Sequence, residues 1–263
     1  MIIIKNKKQI NGIRKSSKLA RQTLLEVGKH IKPGVSTEFL DKIAVDFIKK
    51  HKAIAAPLNY GGFPKSICTS INNVVCHGIP SSKEILKDGD IINVDITTIL
   101  DGYYGDTSIT FGVGEISKQA QQLIDVTKKA MVLAIKKLKS GRKLNDCVGQ
   151  TIDEYISTFA YSAVRQFGGH GVGIKFHEEP LVFHYRLQEH YDNLKNNPIL
   201  KEGMILTVEP MINASLEWEV KIDENDGWTV RTIDGALSAQ FEHTILITKN
   251  GHEVLTKLEE ENL

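Results

Sequence analysis

Hydrophobic residues recur along this chain at two spacings, one typical of helices and the other typical of strands. Residues 7–31 carry apolar positions at helical spacing, which predicts an amphipathic helix that a Pro-Gly pair terminates. Ser36 is expected to cap a second helix, residues 117–139 to form a third, and Asn145 to cap a fourth. Residues 55–80, which contain several Gly and Pro, are predicted to be irregular.

Strand spacing dominates the segment that follows. Residues 91–99 and 103–111 are rich in Ile, Val, Thr, Tyr and Phe, and polar side chains alternate with apolar ones. Asp101-Gly102 between them is a strong hairpin-turn dipeptide, so the two runs are predicted to pair as an antiparallel hairpin.

The hairpin brings two acidic residues together. A two-residue loop places Thr97 across from Asp106 and makes Asp95 the diagonal neighbour of Asp106 on the same face. Two carboxylates at this separation repel each other, so they need a shared proton, a basic partner or a metal ion. The hairpin alone leaves these three possibilities open.

The chain also contains an internal repeat, because four segments of the first half recur in the same order in the second. The pairs are 31–34 with 138–141, 77–78 with 170–171, 86–95 with 200–209, and 106–109 with 242–245. Each half offers two helices, a His-Gly loop and two strands that each carry a carboxylate. The simplest architecture is a single α+β domain over residues 1–263, with halves of about 1–115 and 116–263 related by a pseudo-twofold axis. We expect a central curved antiparallel sheet, formed by strands of both halves and covered by the helices.

The repeat bears on the charge problem of the hairpin. If the halves meet, four carboxylates converge in one cleft: Asp95, Asp106, Glu209 and Glu242. Shared protons do not neutralise four carboxylates near neutral pH, and the nearest basic residues along the chain, Lys87 and Lys201, lie eight residues back, about 25 Å along an extended strand. The sequence therefore favours a pair of divalent ions such as Mn²⁺, Fe²⁺, Co²⁺ or Zn²⁺, which would also activate water for hydrolysis. Solvated surface carboxylates are the plain alternative, and the order of residues leaves open whether His77 or His170 is a ligand.

Composition narrows the class of protein. The chain has 263 residues, of which 41% are hydrophobic and 25% charged, as in an ordinary globular protein. A net charge of +1 argues against non-specific nucleic-acid binding as the main activity. No apolar run is long enough to span a membrane, and the first residues do not follow the order of a secretory signal. Three cysteines without a C-x-x-C pattern suit a reducing environment, so a cytoplasmic location is expected.

Six stretches of the chain match the motifs of a known family. They are NYGGFPKSICTSINNVVCHGIP (59–80), NVD-x10-DTS (93–108), GGHGVGIKFHEEP (168–180), TVEPMIN (207–213), DGWTV (226–230) and SAQFEHTILIT (238–248). On these motifs the chain closely resembles the bacterial form of type I methionine aminopeptidase, a metallopeptidase with the pita-bread fold. The resemblance covers nearly the whole chain.

The resemblance implies a role for each residue that falls on a family position. The metal ligands would be Asp95, Asp106, His170, Glu209 and Glu242, holding two divalent ions (Co, Mn, Fe or Zn). His77 and His177 would be catalytic groups beside the scissile amide, and Glu209 would shuttle a proton to the leaving group. The substrate methionine would lie among Tyr60, Phe63, Cys68, Phe176 and Trp228, together with both of those histidines.

The implied reaction is removal of the initiator methionine from nascent polypeptides and peptides, with preference for a small second residue. The implied partners are these substrates, with a transient ribosome contact, no membrane and no specific nucleic acid, and the chain is expected to act as a monomer. Two alternatives remain: a non-catalytic pita-bread module that binds protein or RNA, and another pita-bread enzyme such as a proline-specific aminopeptidase. The latter enzymes normally carry an additional N-terminal domain, for which 263 residues leave no room.

Two features depart from compact relatives. Pro57 stands where some bacterial relatives have a cysteine in the pocket wall, and segments 184–200 and 214–227 are longer. The first of these segments is expected to be a surface loop.

Overall fold

The computed structural model describes residues 1–188, 193, 195–259 and 261. Its helices are Lys7–Gly28 (α1), Thr37–Lys50 (α2), Lys118–Lys137 (α3), Leu144–Cys147 (α4) and Gly149–Ile156 (α5), with 3₁₀ turns at Tyr60–Gly62 and Ser157–Phe159. The strands of the first half are Ile54–Ala55 (β1), Cys68–Ile71 (β2), Val74–Cys76 (β3), Ile91–Leu100 (β4) and Tyr103–Gly112 (β5). Those of the second half are Ser162–Ala163 (β6), Gly169–Gly171 (β7), Glu178–Val182 (β8), Ile205–Val208 (β9), Met211–Asn213 (β10), Val220–Ile222 (β11), Val230–Thr232 (β12), Ser238–Gln240 (β13), His243–Ile247 (β14) and His252–Val254 (β15).

The three long helices form where their caps and apolar spacing predict them. Asn6 caps α1 in a capping box with Gln9, and Ser36 accepts a hydrogen bond from the backbone N–H of Phe39 at the start of α2. Ser117 caps α3 in the same way. These side chains satisfy N–H groups that have no partner inside the helix, so both the existence of the helices and their starting points are confirmed.

The expected cap at Asn145 is wrong. Asn145 lies inside α4, its Oδ1 accepts from the backbone N–H of Leu187, and its Nδ2 donates to the carbonyl of Tyr185. This side chain therefore fastens a distant segment to the helix instead of capping its first turn. The expectation that residues 55–80 are irregular is also only partly right, because β2 and β3 lie within them.

The hairpin forms with the predicted register. Thr97 pairs with Asp106 and Leu100 with Tyr103, while Asp101 and Gly102 both adopt positive φ as a two-residue hairpin loop requires. Helix α1 packs across this hairpin, since α1 and β5 approach so closely at Gly105 that a Cβ atom there would lie 2.2 Å from the backbone N of Ser17.

In the part of the chain described, the strands form four antiparallel sheets. Their orders are β1-β4-β2 with β5 beside β4, β13-β10-β6, β11-β12-β3, and β15-β14-β9-β7-β8. The expected curved sheet is interrupted where β5 of the first half meets β14 of the second. There the backbone N–H of Glu242 donates to the carbonyl of Ser108, and hydroxyls of Thr107 and Thr244 donate to carbonyls across the junction. Threonine side chains thus satisfy backbone groups that a regular ladder would have paired.

The core supports this junction from outside. One apolar cluster joins α1 and α2 to β4, and a larger one joins α3 and α5 to β9, β10 and β14. The helices of each half therefore cover the strands of that half, as expected for an α+β fold. No helix among the described residues has the length and apolar character needed to cross a membrane.

Candidate metal centre and substrate cavity

The acidic residues of the repeat meet at the junction between the halves. Asp95 lies on β4 and Asp106 on β5, Glu209 directly follows β9, and Glu242 directly precedes β14. Carboxylate oxygens of Asp106 and Glu242 and a ring nitrogen of His170 lie within 4.8 Å of one another, close enough to share a metal ion. Nε2 of His170 also lies 3.6 Å from Oε1 of Glu209 and 3.8 Å from Oδ2 of Asp106.

Three of the four carboxyl groups are buried and that of Asp95 is half-buried, and among the described residues none has a basic counter-charge. Burial raises the pKa of Asp106 to about 7, and burial together with the charge of Asp106 raises the pKa of Asp95 well above its usual range. Burial is also the main cause that raises the pKa values of Glu209 and Glu242, with the other carboxylates of the cluster adding to it. Within the described ranges no Lys or Arg forms an ion pair with any of the four. A buried oxygen-rich cluster of this kind fits divalent cations, which supply the missing positive charge.

The hydrogen bond of His170 selects the ring nitrogen that faces the carboxylates. Its Nδ1 lies 2.9 Å from the carbonyl of Gly171, which only accepts, so Nδ1 carries the proton and Nε2 keeps a lone pair. Burial lowers the pKa of this imidazole to about 3, so the ring is neutral at physiological pH. A neutral imidazole with a free Nε2 beside carboxylates is suited to metal ligation.

Neighbouring side chains orient two of the carboxylates. Oγ1 of Thr97 donates to Oδ1 of Asp106 at 2.7 Å, and Oγ1 of Thr207 donates to Oε1 of Glu209 at 2.6 Å. Nε2 of Gln240 donates to Oε2 of Glu209 at 3.2 Å. These bonds restrict the rotation of the carboxylates and leave their remaining lone pairs directed into the centre.

The other two histidines of the prediction line the cavity beside this centre. His77 has a positive φ of 56°, which is uncommon outside glycine, and its ring meets Phe167 and Trp228 edge-on. Nδ1 of His177 lies 2.9 Å from the hydroxyl of Tyr60. Burial lowers the pKa of both imidazoles, that of His77 to about 4, so both are neutral near pH 7.

Aromatic rings form the wall that faces the acidic centre. Phe63 and Trp228 meet edge-to-face at 5.3 Å, and Tyr60 lies 4.8 Å from Phe176. All twelve site residues named from the sequence line a single cavity of about 380 Å³, which is within the usual range for small ligands. The residues that were assigned to one site from the sequence therefore lie together in the fold.

Several residues that line the cavity were not named as site residues from the sequence: Pro57, Cys76, Thr97, Gln166, Phe167, Gly168, Leu181, Met211 and Gln240. A local signal existed for three of them, because Thr97 lies two positions after Asp95, Met211 two positions after Glu209, and Gln240 two positions before Glu242. Gln166 and Phe167 belong to a connection between strands, where no periodic pattern indicates direction.

The two long segments have different outcomes. Segment 214–227 contains β11, which pairs with β12, and Asp226 accepts hydrogen bonds from the backbone N–H groups of Trp228 and Thr229. It therefore supports the cavity wall at Trp228. In segment 184–200, residues 189–192 and 194 lie outside the described residues.

Comparisons with known proteins agree with this geometry. Residues 11–249 match metallopeptidase family M24. The methionine aminopeptidase of Buchnera aphidicola subsp. Acyrthosiphon pisum is 47% identical over 262 residues, which cover 99% of this chain and 96% of that protein. The crystal structure of methionine aminopeptidase from Rickettsia prowazekii has a TM-score of 0.92 at 48% identity and covers 98% of this chain and 100% of its own. The prolidase from Pyrococcus horikoshii OT3, with a TM-score of 0.75 at 23% identity, shares the fold over 99% of this chain but only 65% of its own.

On this fold, an acidic cluster that lines an aromatic cavity is the arrangement expected of a metallopeptidase. The chain belongs to metallopeptidase family M24. Within that family it groups with the bacterial type I methionine aminopeptidases, which match it over nearly its whole length. The predicted α+β pita-bread fold and aminopeptidase class are confirmed. A proline-specific enzyme is not favoured, because the prolidase resembles this chain far less in sequence than the methionine aminopeptidases do. A non-catalytic module is not favoured either, because the relatives that match nearly the whole chain are methionine aminopeptidases.

Proposed function

We propose that this chain removes N-terminal methionine from peptides and nascent polypeptides, with preference for a small second residue. The observation that carries the proposal is the position of the acidic cluster, which lines the same cavity as the aromatic residues proposed to contact the methionine side chain. The full-length similarity to methionine aminopeptidases supports the same substrate.

The proposed ligands for two divalent ions are Asp95, Asp106, His170, Glu209 and Glu242. The convergence of four acids with no basic partner among the described residues supports more than one ion, since a single dication would leave two charges unbalanced. We propose that the ions are divalent first-row metals (Co, Mn, Fe or Zn) and do not choose among the four, because oxygen and imidazole donors suit all of them. Bound ions of this kind supply a Lewis acid and a water of lowered pKa.

Glu209 is the proposed proton shuttle. Hydrogen bonds from Thr207 and Gln240 hold its carboxylate in the cluster, where we propose that it takes a proton from the attacking water and delivers that proton to the leaving amide nitrogen. If the Tyr60 hydroxyl donates to Nδ1 of His177, then Nε2–H of His177 is free to stabilise the oxyanion that develops on the scissile carbonyl. His77 is proposed to contact the amide nitrogen from the opposite wall.

The methionine side chain is proposed to lie among Tyr60, Phe63, Cys68, Phe176 and Trp228. Aromatic faces and edges make favourable contacts with a thioether, and an unbranched side chain adapts to an irregular slot. Phe63 and Cys68 are buried even in the free cavity, so the slot is already desolvated on that side.

Further proposals concern the whole chain. We propose one catalytic domain of two halves, because residues of both halves line the cavity, and we propose that it acts as a monomer. Three free buried cysteines support a cytoplasmic location. Transient contact with the ribosome would deliver nascent chains, and the long segment at 184–200 is a candidate for it.

The assay that tests the substrate compares Met-Ala-Ser with an Ala-Pro peptide at saturating Mn²⁺. We expect turnover of the methionyl peptide and little turnover of the other. Preference for the Ala-Pro peptide would overturn the assignment, and no turnover of either after addition of Co²⁺, Mn²⁺ or Fe²⁺ would revive the non-catalytic alternative.

A second test concerns the metal centre. We expect Asp106→Asn and Glu242→Gln each to lose bound metal and activity, because each replaces a charged carboxylate of the cluster that would hold the ions with a neutral amide. Metal analysis and peptide turnover are the measurements, and Asp101→Asn on the exposed turn of the same hairpin is the control. Near-normal turnover in either of the first two variants would contradict a dinuclear centre.

A further inference from the structure

A buried ion pair lies behind the cavity and outside the acidic centre. Nζ of Lys5 lies 2.6 Å from Oε2 of Glu178, and both side chains are only 1% exposed. The pair joins residues 173 positions apart in the chain, so it fastens the N-terminal segment to the start of β8. Burying two charges is costly unless both are fully paired, so such a pair needs an explanation beyond ordinary surface chemistry.

The carboxylate of Glu178 is also the centre of a tight loop. Its Oε1 accepts hydrogen bonds from the backbone N–H groups of Ile174 and Lys175, at 2.8 and 2.9 Å. The carbonyl of Gly173 accepts from the backbone N–H of Tyr104, which fixes the other end of the loop. Both carboxylate oxygens are therefore in use, one for the loop and one for Lys5.

This loop, residues 173–177, presents two cavity residues. Phe176 and His177 stack on each other at 4.3 Å, and Nδ1 of His177 bonds the Tyr60 hydroxyl. The backbone N–H of Lys5 donates to the carbonyl of Gly203, in the turn that precedes β9 and Glu209. Lys5 thus connects the turn before one site strand with the loop that carries His177.

We infer that Lys5 is a positioning residue for the peptidase reaction, because its ion pair with Glu178 fixes the 173–177 loop with His177 facing the substrate. This inference rests on the proposed function. Without the lysine, the buried carboxylate has no counter-charge and must either take up a proton or move toward water. Protonation weakens the bonds from Ile174 and Lys175, because a neutral carboxyl is a weaker acceptor than a carboxylate, and movement toward water breaks them. We expect His177 to be displaced in both cases.

The adjacent glutamate provides a matched control. Glu179 is 59% exposed, and its ion pair is with the amino group of Met1 at 2.9 Å. Exposed pairs contribute little, so Glu179→Gln is expected to behave as the parent chain. Glu178→Gln is the informative partner variant, because an amide has one acceptor oxygen and cannot serve both Lys5 and the loop.

The experiment measures kcat and KM for Met-Ala-Ser in the metal-loaded protein, normalised to the folded fraction. We expect Lys5→Met and Glu178→Gln to lower kcat by about 10²-fold with bound Mn²⁺ unchanged, since a small misplacement of a catalytic group has an effect of that size. Lys5→Arg, which keeps the cation, is expected to restore most of the rate. A merely structural role would lower the folded fraction but leave kcat per folded molecule unchanged in all variants.

The imidazole NMR signals of His177, assigned by their loss in His177→Asn, provide a readout that needs no turnover. We expect them to shift in Lys5→Met and Glu178→Gln but not in Glu179→Gln. Parent-like kcat and unshifted His177 signals in a folded Glu178→Gln protein would overturn the inference, even if Lys5→Met fails to fold. Failure of the parent chain to cleave the methionyl peptide would instead overturn the proposed function, and the NMR comparison would still decide the positioning role.

Discussion

Hydrogen-bond partners decide which atom of each site residue is left for chemistry. The carbonyl of Gly171 occupies Nδ1 of His170 and leaves Nε2 toward the carboxylates, while the hydroxyl of Tyr60 occupies Nδ1 of His177. The two rings lie 4.3 Å apart, yet one faces acids and the other faces the open cavity. Neighbouring histidines therefore have different proposed roles because different oxygen atoms hold their Nδ1 positions.

We expect His177→Ala to keep bound metal and to lower kcat by about 10²-fold or more, as removal of an oxyanion donor does in other enzymes. Metal analysis and steady-state kinetics on the same preparation check this. Tyr60→Phe, which keeps the ring but removes the bond to Nδ1, should have a smaller effect. Loss of metal in His177→Ala would mean that the ligand and catalytic roles are misassigned.

The hairpin of β4 and β5 separates site chemistry from core packing by strand alternation. Thr97 and Thr98 are consecutive and buried, and their side chains point to opposite faces. Oγ1 of Thr97 donates to Asp106, whereas Oγ1 of Thr98 donates to the carbonyl of Ser16 in α1. One face of the hairpin therefore serves the metal centre and the other serves the helix packed on it.

This arrangement predicts different effects for two similar substitutions. Thr97→Val should weaken metal affinity about 10- to 100-fold, because it removes the hydrogen bond that orients Asp106. Thr98→Val should leave metal affinity unchanged and lower the free energy of unfolding by about 1 kcal/mol or more. Metal titration and urea unfolding of both variants distinguish these effects, and equal metal affinities would contradict the role of Thr97.

At the scale of the whole molecule, folding and metal binding are linked through buried titratable groups. The four carboxyls of the centre have raised pKa values, and that of Asp106 is about 7. Each contributes stability that is present below its ordinary pKa and is lost as the pH rises through its folded pKa. Five histidines with lowered pKa values act in the opposite sense, losing stability as the pH falls below about 6.5: His77, His170, His177, His184 and His243.

Metal-free protein is therefore expected to become less stable as the pH rises above about 7.5, where the histidines are neutral in both the folded and the unfolded state and the carboxyls of the centre still lose protons. The increase in Tm on addition of Mn²⁺ should grow over the same range, since the ions replace the lost protons as counter-charge. Thermal unfolding of chelator-treated protein from about pH 7.5 to 8.5, with and without Mn²⁺, measures both trends. A metal-free Tm that rises with pH would contradict the prediction.

Local patterns were enough to predict much of the fold. Ser36 caps its helix and Thr97 pairs with Asp106 as expected, because caps and two-residue turns depend on a few adjacent residues. The cap at Asn145 was wrong because its side chain bonds a segment about forty residues away. Local propensity does not include such a competing partner.

The sequence by itself determined the hairpin, the repeated acidic positions and the need for positive charge near them, since these follow from alternation, turn chemistry and Coulomb repulsion. The order of residues left the choice between His77 and His170 open, and only the family resemblance assigned the ligand role to His170. Only the tertiary structure places Nε2 of His170 within 4 Å of two carboxylates and His77 against aromatic rings. It also shows that the halves join through threonine hydroxyls and that Lys5 lies behind the His177 loop. These contacts depend on how segments far apart in the chain pack against each other. The spacing of residues along one strand or helix does not determine that packing.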